Sequence, residues 1–129
     1  MHISQLPKSP ILRRPPAPDL VIEEIQTRPM HPRAGEPVWL DVVVRNEGDA
    51  AAGAFQVQVR APGLMDQAAA QGLAAGRQMA FRSLGPLWTN ASDSLIWVDG
   101  EVDHQHQVPE SQEGNNWVKL ALHLDPARR

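Results

Sequence analysis

The sequence predicts an all-β domain in which two antiparallel sheets pack face to face. Residues 38–44 and 118–124 alternate in the two-residue period of a half-buried strand. Short β-rich runs are separated by clusters of Gly, Pro, Asn and Asp, which favour turns. No stretch of useful length has the 3.6-residue period of an amphipathic helix, so a helical fold is excluded.

Six strands follow from this pattern, in chain order about 20–28, 37–45, 54–60, 78–84, 94–102 and 117–124. The residues predicted to face the core are Val38, Leu40, Val42 and Val44, then Phe55, Val57 and Val59, then Met79 and Phe81, then Ile96, Val98 and Val102, and finally Val118, Leu120, Leu122 and Leu124. On the second strand, the opposite face carries Trp39, Asp41, Val43 and Arg45. Because each strand has one apolar face, two sheets that bury these faces against each other are the natural arrangement.

The segment 62–76 is ambiguous. Its Ala-rich run Met65–Ala75 is compatible with a helical turn, since alanine is the best helix former. We prefer a short edge strand that ends in a turn at Ala75–Gly76, which brings the number of strands to seven.

The chain divides into an arm at 1–18, a domain at 19–125 and a short tail at 126–129. The arm contains five prolines and three basic residues but no acid, so it carries a charge of +3 and the remainder −6. Since proline fixes φ and removes a backbone donor, we expect an extended, polyproline-like arm. We expect Lys8, Arg13 and Arg14 to contact a partner subunit; a flexible linker is the alternative.

Composition narrows the class of protein. The 129 residues suffice for one domain, and the absence of cysteine excludes disulfides, a thiol nucleophile and Cys-based zinc sites. A net charge of −3 argues against a general nucleic-acid binder. The N-terminal segment lacks the apolar region of a signal peptide, and no run approaches the ~18 apolar residues of a membrane span. If Met1 is the natural start, we expect no cleaved signal; a virion or an extracellular surface would both suit such a chain.

Five segments in order resemble the CARDB domain, a bacterial and archaeal module named for a presumed link to cell adhesion. They cover about 18–124 and begin at Pro18, Arg33, Val42, Leu73 and Val108, reading PDLVIE, RAGEPV, VVVRNEGDAAAG, LAAG and VPESQEGNN. The resemblance implies a seven-stranded immunoglobulin-like sandwich with no known catalytic machinery. Segments 62–74 and 87–93 depart from the family pattern. Family members are usually repeated modules of long secreted or surface proteins.

A polar constellation spans the end of the sixth strand and the loop that follows. Its members are Asp99, Glu101, Asp103, Glu110, Glu113, Asn115 and Asn116. Carboxylates with an amide could ligate calcium, for which Asp103, Glu110 and Glu113 are the candidates. We favour a structural role in which Glu110, Asn115 and Asn116 tie down the loop through hydrogen bonds to the backbone. The family resemblance also implies that role, so we expect no cofactor.

Other catalytic or metal chemistry finds little support. His104 and His106 have a spacing that metal sites use, but no third ligand is evident beyond Asp103 or Glu110, and we favour surface histidines. No serine lies in a Gly-x-Ser-x-Gly elbow, and no glycine-rich phosphate loop opens a helix. We therefore expect a protein that is not an enzyme.

Three tryptophans are the best candidates for binding. Strand parity directs Trp39, Trp97 and Trp117 away from the core, and exposed tryptophan is a common anchor of interfaces. Because Trp39 falls on a strand of the other sheet, Trp97 and Trp117 could share a patch without it. These residues predict a structural or interaction protein that binds subunits of a larger assembly, such as a phage decoration or tail accessory protein. A carbohydrate-binding adhesion module is the alternative, and neither nucleic acid nor membrane insertion is expected.

Overall fold

The computed structural model describes residues 15–103 and 117–128, and all their regular structure is β. Seven strands follow one another along the chain: β1 (Leu20–Arg28), β2 (Pro37–Asn46), β3 (Phe55–Ala61), β4 (Leu64–Ala70), β5 (Gln78–Trp88), β6 (Leu95–Asp103) and β7 (Trp117–His123). None of these described residues belongs to a helix long and apolar enough to cross a membrane.

The strands form two sheets, one in the order β1-β2-β5 and the other in the order β4-β3-β6-β7. Every pairing between neighbouring strands is antiparallel. This arrangement confirms the predicted immunoglobulin-like sandwich. It also confirms that 64–70 is an edge strand, since β4 pairs only with β3 within its sheet.

The core lies between the sheets and is built from the alternating residues that the sequence indicated. Val38, Leu40, Val42 and Val44 of β2 are fully buried, as are the facing Val57, Val59 and Val98 of the other sheet. Phe55 and Phe81 meet edge to face, with ring centroids 5.9 Å apart and planes at 77°. Since burying one such side chain contributes about 1.5–3 kcal/mol, this apolar core is the main source of stability.

β5 runs four residues beyond the strand that the sequence predicted. Gly85 and Pro86 resemble a strand end, because both residues weaken a β ladder. The strand nevertheless continues, since Leu87 is buried and pairs with Val38 while Trp88 pairs with Pro37. The predicted end of this strand at residue 84 is therefore wrong, and Trp88 lies at the end of a sheet.

Asp41 is buried although it lies on the face of β2 opposite the core. Its side chain is only 7% exposed, because the guanidinium of Arg28 lies across it, with Nη2 2.8 Å from Oδ1. The backbone N–H of Ser83 donates to the same oxygen at 2.8 Å. Arg28 lowers the pKa of Asp41 from its ordinary value, chiefly through this hydrogen bond.

Asn46 organises the end of the sandwich where β1 begins and β2 ends. Its side chain is completely buried. Its Oδ1 accepts from the backbone N–H groups of Asp19 and Gly48, each at 3.0 Å. Its Nδ2 donates to the carbonyls of Ala50 and Leu73 at 2.9 and 3.0 Å. One side chain thus joins the start of β1, the β2–β3 loop and the segment before β5.

The last residues of the predicted arm pack against the same loop. The backbone N–H of Ala17 donates to Asp49 Oδ1 at 2.8 Å, and the N–H of Asp49 donates to the Ala17 carbonyl at 3.1 Å. Pro18 is buried. A Cβ at Gly48 would overlap the Ala17 carbonyl oxygen and lie 2.6 Å from the Asp19 nitrogen, so only glycine fits this crossing.

Candidate functional site

The outer face of the four-stranded sheet carries two exposed tryptophans. Trp97 of β6 is 52% exposed and Trp117 of β7 is 56% exposed. Both strands alternate in this region, so Ile96 and Val98 are buried while Trp97 points outward. We call the surface formed by Trp97, Asp99, Glu101, Trp117 and Lys119 the tryptophan face.

Charged side chains connect the two rings of the tryptophan face. Trp117 is opposite Glu101 in the β6–β7 ladder, and Lys119 is opposite Asp99. The Nζ of Lys119 lies 5.9 Å from the centroid of the Trp97 ring and 3.9 Å from Asp99 Oδ1. At this distance the ammonium interacts with the ring quadrupole, which helps to hold an exposed tryptophan in place.

A shallow depression of about 260 Å³ lies beside Trp117. It is lined by Gln58, Arg60, Asp99, Gly100, Glu101 and Trp117. Its polar groups include one cation and two carboxylates, so it offers both hydrogen-bond donors and acceptors next to an aromatic ring. Such a surface suits recognition of a polar partner.

Trp39 lies apart from the tryptophan face. It is in β2, opposite Arg28 of β1, and it is 37% exposed on the outer side of the three-stranded sheet. The structure therefore separates Trp39 from Trp97 and Trp117, as the topology inferred from the sequence required. A binding role for these three residues remains a prediction.

A fourth tryptophan, which the sequence reasoning missed, lies at one end of the sandwich. Trp88 is 69% exposed and is brought near β6 by the unexpected length of β5. Together with Trp97 it borders a pocket of about 280 Å³, which we call the end pocket. Its lining comprises Pro62, Trp88, Asn90, Asp93, Leu95, Ile96 and Trp97. The sequence did contain a signal for this position. If the strand continues to the apolar Leu87 and buries it, alternation directs the next residue, Trp88, outward.

Several predicted site residues lie outside the described part of the chain. They are Lys8, Arg13 and Arg14 of the arm, His104 and His106, and Glu110, Glu113, Asn115 and Asn116 of the loop before β7. Asp103 is described as the last residue of β6. Within 15–103 and 117–128, no group of three His, Cys, Asp or Glu side chains could hold a metal ion. The calcium and loop-ordering hypotheses therefore remain predictions.

Comparison with known proteins identifies one family and several solved structures. The CARDB family model matches residues 17–120. Among curated proteins, none matches the chain significantly. Three similar solved structures are domains of archaeal proteins.

One is the 272–376 domain of a presumed cell-surface protein from Methanosarcina acetivorans. It is 19% identical in sequence, the match covers 84% of this chain and 92% of that chain, and the TM-score is 0.66. A second is a CARDB domain from Pyrococcus furiosus, crystallised in complex with di-metal ions. It has 20% identity, 88% and 99% coverage and a TM-score of 0.65. An NMR structure of that same domain gives 21% identity, 84% and 96% coverage and a TM-score of 0.61. At these identities the likeness shows the fold.

Proposed function

This chain belongs to the CARDB family, and from that premise we propose that it is a non-catalytic interaction domain that binds a protein partner through the tryptophan face. The family comprises cell-surface and adhesion-associated domains without catalytic activity. The proposed partner is a subunit of a larger assembly.

The observation that carries this proposal is the exposure of Trp97 and Trp117 on one sheet face. The core is already complete without them, since the inward residues of β3, β6 and β2 are buried. Two large aromatic side chains left in water on one rigid face contribute little to folding, whereas tryptophan is enriched among residues that dominate binding energy. Their placement is therefore best explained by a partner that covers them.

The polar groups around the two rings support a protein partner. Asp99, Glu101, Lys119 and Arg60 surround the rings with charges of both signs. Protein interfaces combine aromatic anchors with a polar rim in this manner. A complementary surface on the partner would pair these charges, which favours specificity more than affinity.

The N-terminal arm is proposed to reach the same partner. β3 begins, β6 ends and β7 begins at one end of the sandwich, because Gln56 pairs with Asp103 and Glu101 with Trp117. β1 begins at that end too, since Ile22 Cδ1 would lie 3.2 Å from a Cβ on Gly100 of β6. The arm therefore joins the domain at the end that presents Trp117. The three basic residues at Lys8, Arg13 and Arg14 would extend the contact toward an acidic surface. A virion setting for this partner remains a prediction from the sequence.

Site-specific photo-crosslinking in the source cells tests the proposal. A photoreactive amino acid replaces Trp117 in the full chain, and a matched variant carries it at Trp39 on the opposite sheet. We expect a crosslinked product of one defined mass from position 117, and its absence from position 39. A second substitution, W97A, should reduce the yield from position 117. Equal products from both positions, or none from position 117 while the chain is folded, would refute a partner at this face.

A further inference from the structure

We propose that the end pocket is a separate binding site for a neutral saccharide. The site does not depend on the protein partner proposed above, because its main residues, Trp88, Asn90 and Leu95, lie outside the tryptophan face. Trp97 borders both surfaces. The sequence offered Trp97 or Trp117 as the residue that would stack on a sugar; the end pocket joins Trp97 to Trp88 instead.

The apolar part of the end pocket matches the faces of a sugar ring. Trp88 is 69% exposed, Leu95 is 42% exposed, and Pro62 adds an apolar wall from the β3–β4 turn. A pyranose presents C–H groups on its ring faces, and an indole offers a large flat surface on which they can stack. At about 280 Å³ the pocket lies near the lower end of small-ligand sites, about 300 Å³, so it would hold one ring of a longer chain.

The polar groups of the end pocket match the hydroxyls around that ring. Asn90 supplies a donor and an acceptor, and Asp93 supplies an acceptor. Within the described residues, Asp93 uses Oδ2 to accept from the backbone N–H of Asn90 at 2.8 Å. Its other carboxylate oxygen can accept from a ligand hydroxyl, since no described group donates to it.

The charge of the end pocket selects against acidic sugars. Its described lining contains one acid, Asp93, and no lysine or arginine. A uronate, sialate or phosphate would bring its own charge toward that carboxylate, and no cation among the described lining residues would compensate it. The site is therefore suited to neutral sugars.

Hydrogen bonds hold the backbone of the segment that lines the end pocket. Thr89, which follows Trp88, is buried and its hydroxyl accepts from Gly35 N–H at 2.7 Å and donates to the Glu36 carbonyl at 2.8 Å. The N–H of Asp93 donates to the Asn90 carbonyl at 2.9 Å, which closes the turn between them. A segment held in this way loses less conformational entropy on binding than an unrestrained loop would.

An array of neutral and acidic oligosaccharides, probed with the full chain, tests this site. We expect binding to neutral members only. Isothermal titration calorimetry then measures the affinity of each variant for the strongest ligand. W88A should bind at least roughly tenfold more weakly than the unmodified chain, and W97A should show a similar loss. N90A should also weaken binding. W117A is the matched control, being a similarly exposed tryptophan, and should bind within about twofold of the unmodified chain.

Circular dichroism and thermal unfolding of each variant establish that the fold is retained. Three results would overturn the proposal: no neutral oligosaccharide bound at millimolar concentration, acidic oligosaccharides preferred, or an affinity that W117A lowers and W88A leaves unchanged. Choline chloride is included as a further probe, because two tryptophans and a carboxylate could also hold a quaternary ammonium. Binding of choline in place of any sugar would contradict a saccharide site.

Discussion

The guanidinium of Arg28 covers the carboxylate of Asp41 on the outer side of the three-stranded sheet, with 2.8 Å between Nη2 and Oδ1. The same Arg28 nitrogen donates to the hydroxyl of Ser83 at 2.7 Å. Ser83 has a φ of 62°, a conformation that most residues avoid. Asp41 accepts from the Ser83 backbone N–H, so the pair also fixes this unusual residue of β5.

The Arg28–Asp41 pair predicts a loss of stability in acid. Because the hydrogen bond from Arg28 lowers the pKa of Asp41 in the folded state, the contribution is complete above the ordinary aspartate pKa of about 3.9. It declines as the pH falls through that value toward the lower folded pKa. Urea unfolding of the wild type and D41N between pH 7 and pH 3 measures this. D41N should lose less stability across that range; parallel curves would contradict the prediction.

Replacement of Asn46 should strongly destabilise the fold. N46A leaves two backbone N–H groups, of which that of Asp19 is buried, and two carbonyls without their side-chain partner, at an expected cost of about 2–4 kcal/mol. N90A, an exposed asparagine, is the control and should cost less than about 0.5 kcal/mol. Chemical denaturation compares the free energies of unfolding. Similar values for the two variants would show that Asn46 is only a turn residue.

Gly48 should tolerate no side chain. A Cβ there meets backbone atoms of Ala17, Pro18 and Asp19 that cannot rotate away, so G48A should cost about 2 kcal/mol or more. G63A provides the comparison, because Gly63 has a φ of +75° with nothing within 4 Å of its Cβ position. Its cost should be about 1 kcal/mol, from backbone strain alone. A thermal unfolding series that ranks G63A as the more harmful change would contradict the close crossing.

The Thr89 hydroxyl should stabilise the β1–β2 loop and the end of β5. T89V keeps the shape of the side chain but removes both hydrogen bonds, to Gly35 and to Glu36, at an expected cost of about 1–3 kcal/mol. T27V is the control, because the Thr27 hydroxyl makes only a 3.4 Å contact with the Met30 carbonyl. Free energies of unfolding from urea titrations distinguish them. Equal values would mean that water satisfies the Thr89 partners.

The strands and the core could be predicted because they depend on local alternation. The burial of Val38, Leu40, Val42 and Val44 follows from a two-residue period that needs no knowledge of the partner strand. Asp41 lies in that same run on the opposite face, yet it is also buried. Its burial depends on Arg28 and Ser83, which are 13 and 42 residues away in sequence. No local pattern reports such a contact.

Local alternation also decided which residues of the candidate sites could be predicted. Parity was sufficient to expose Trp97 and Trp117, since both lie in regular strands. Trp88 was missed because Gly85–Pro86 resembles the end of β5. The buried hydrogen bonds of Asn46 were also missed, since a short polar side chain after a strand normally indicates only a turn.

Oxidative footprinting of the native chain in its own cellular surroundings tests the tryptophan face most directly. Hydroxyl radicals modify exposed indole rings. The rates of modification of Trp97 and Trp117 in the native surroundings can therefore be compared with the rates in the purified chain. The proposed partner predicts several-fold protection of Trp117 and Trp97 in the native surroundings, while Trp39 on the opposite sheet reacts equally in both. Equal reaction of Trp117 in the two samples would contradict a partner at this face.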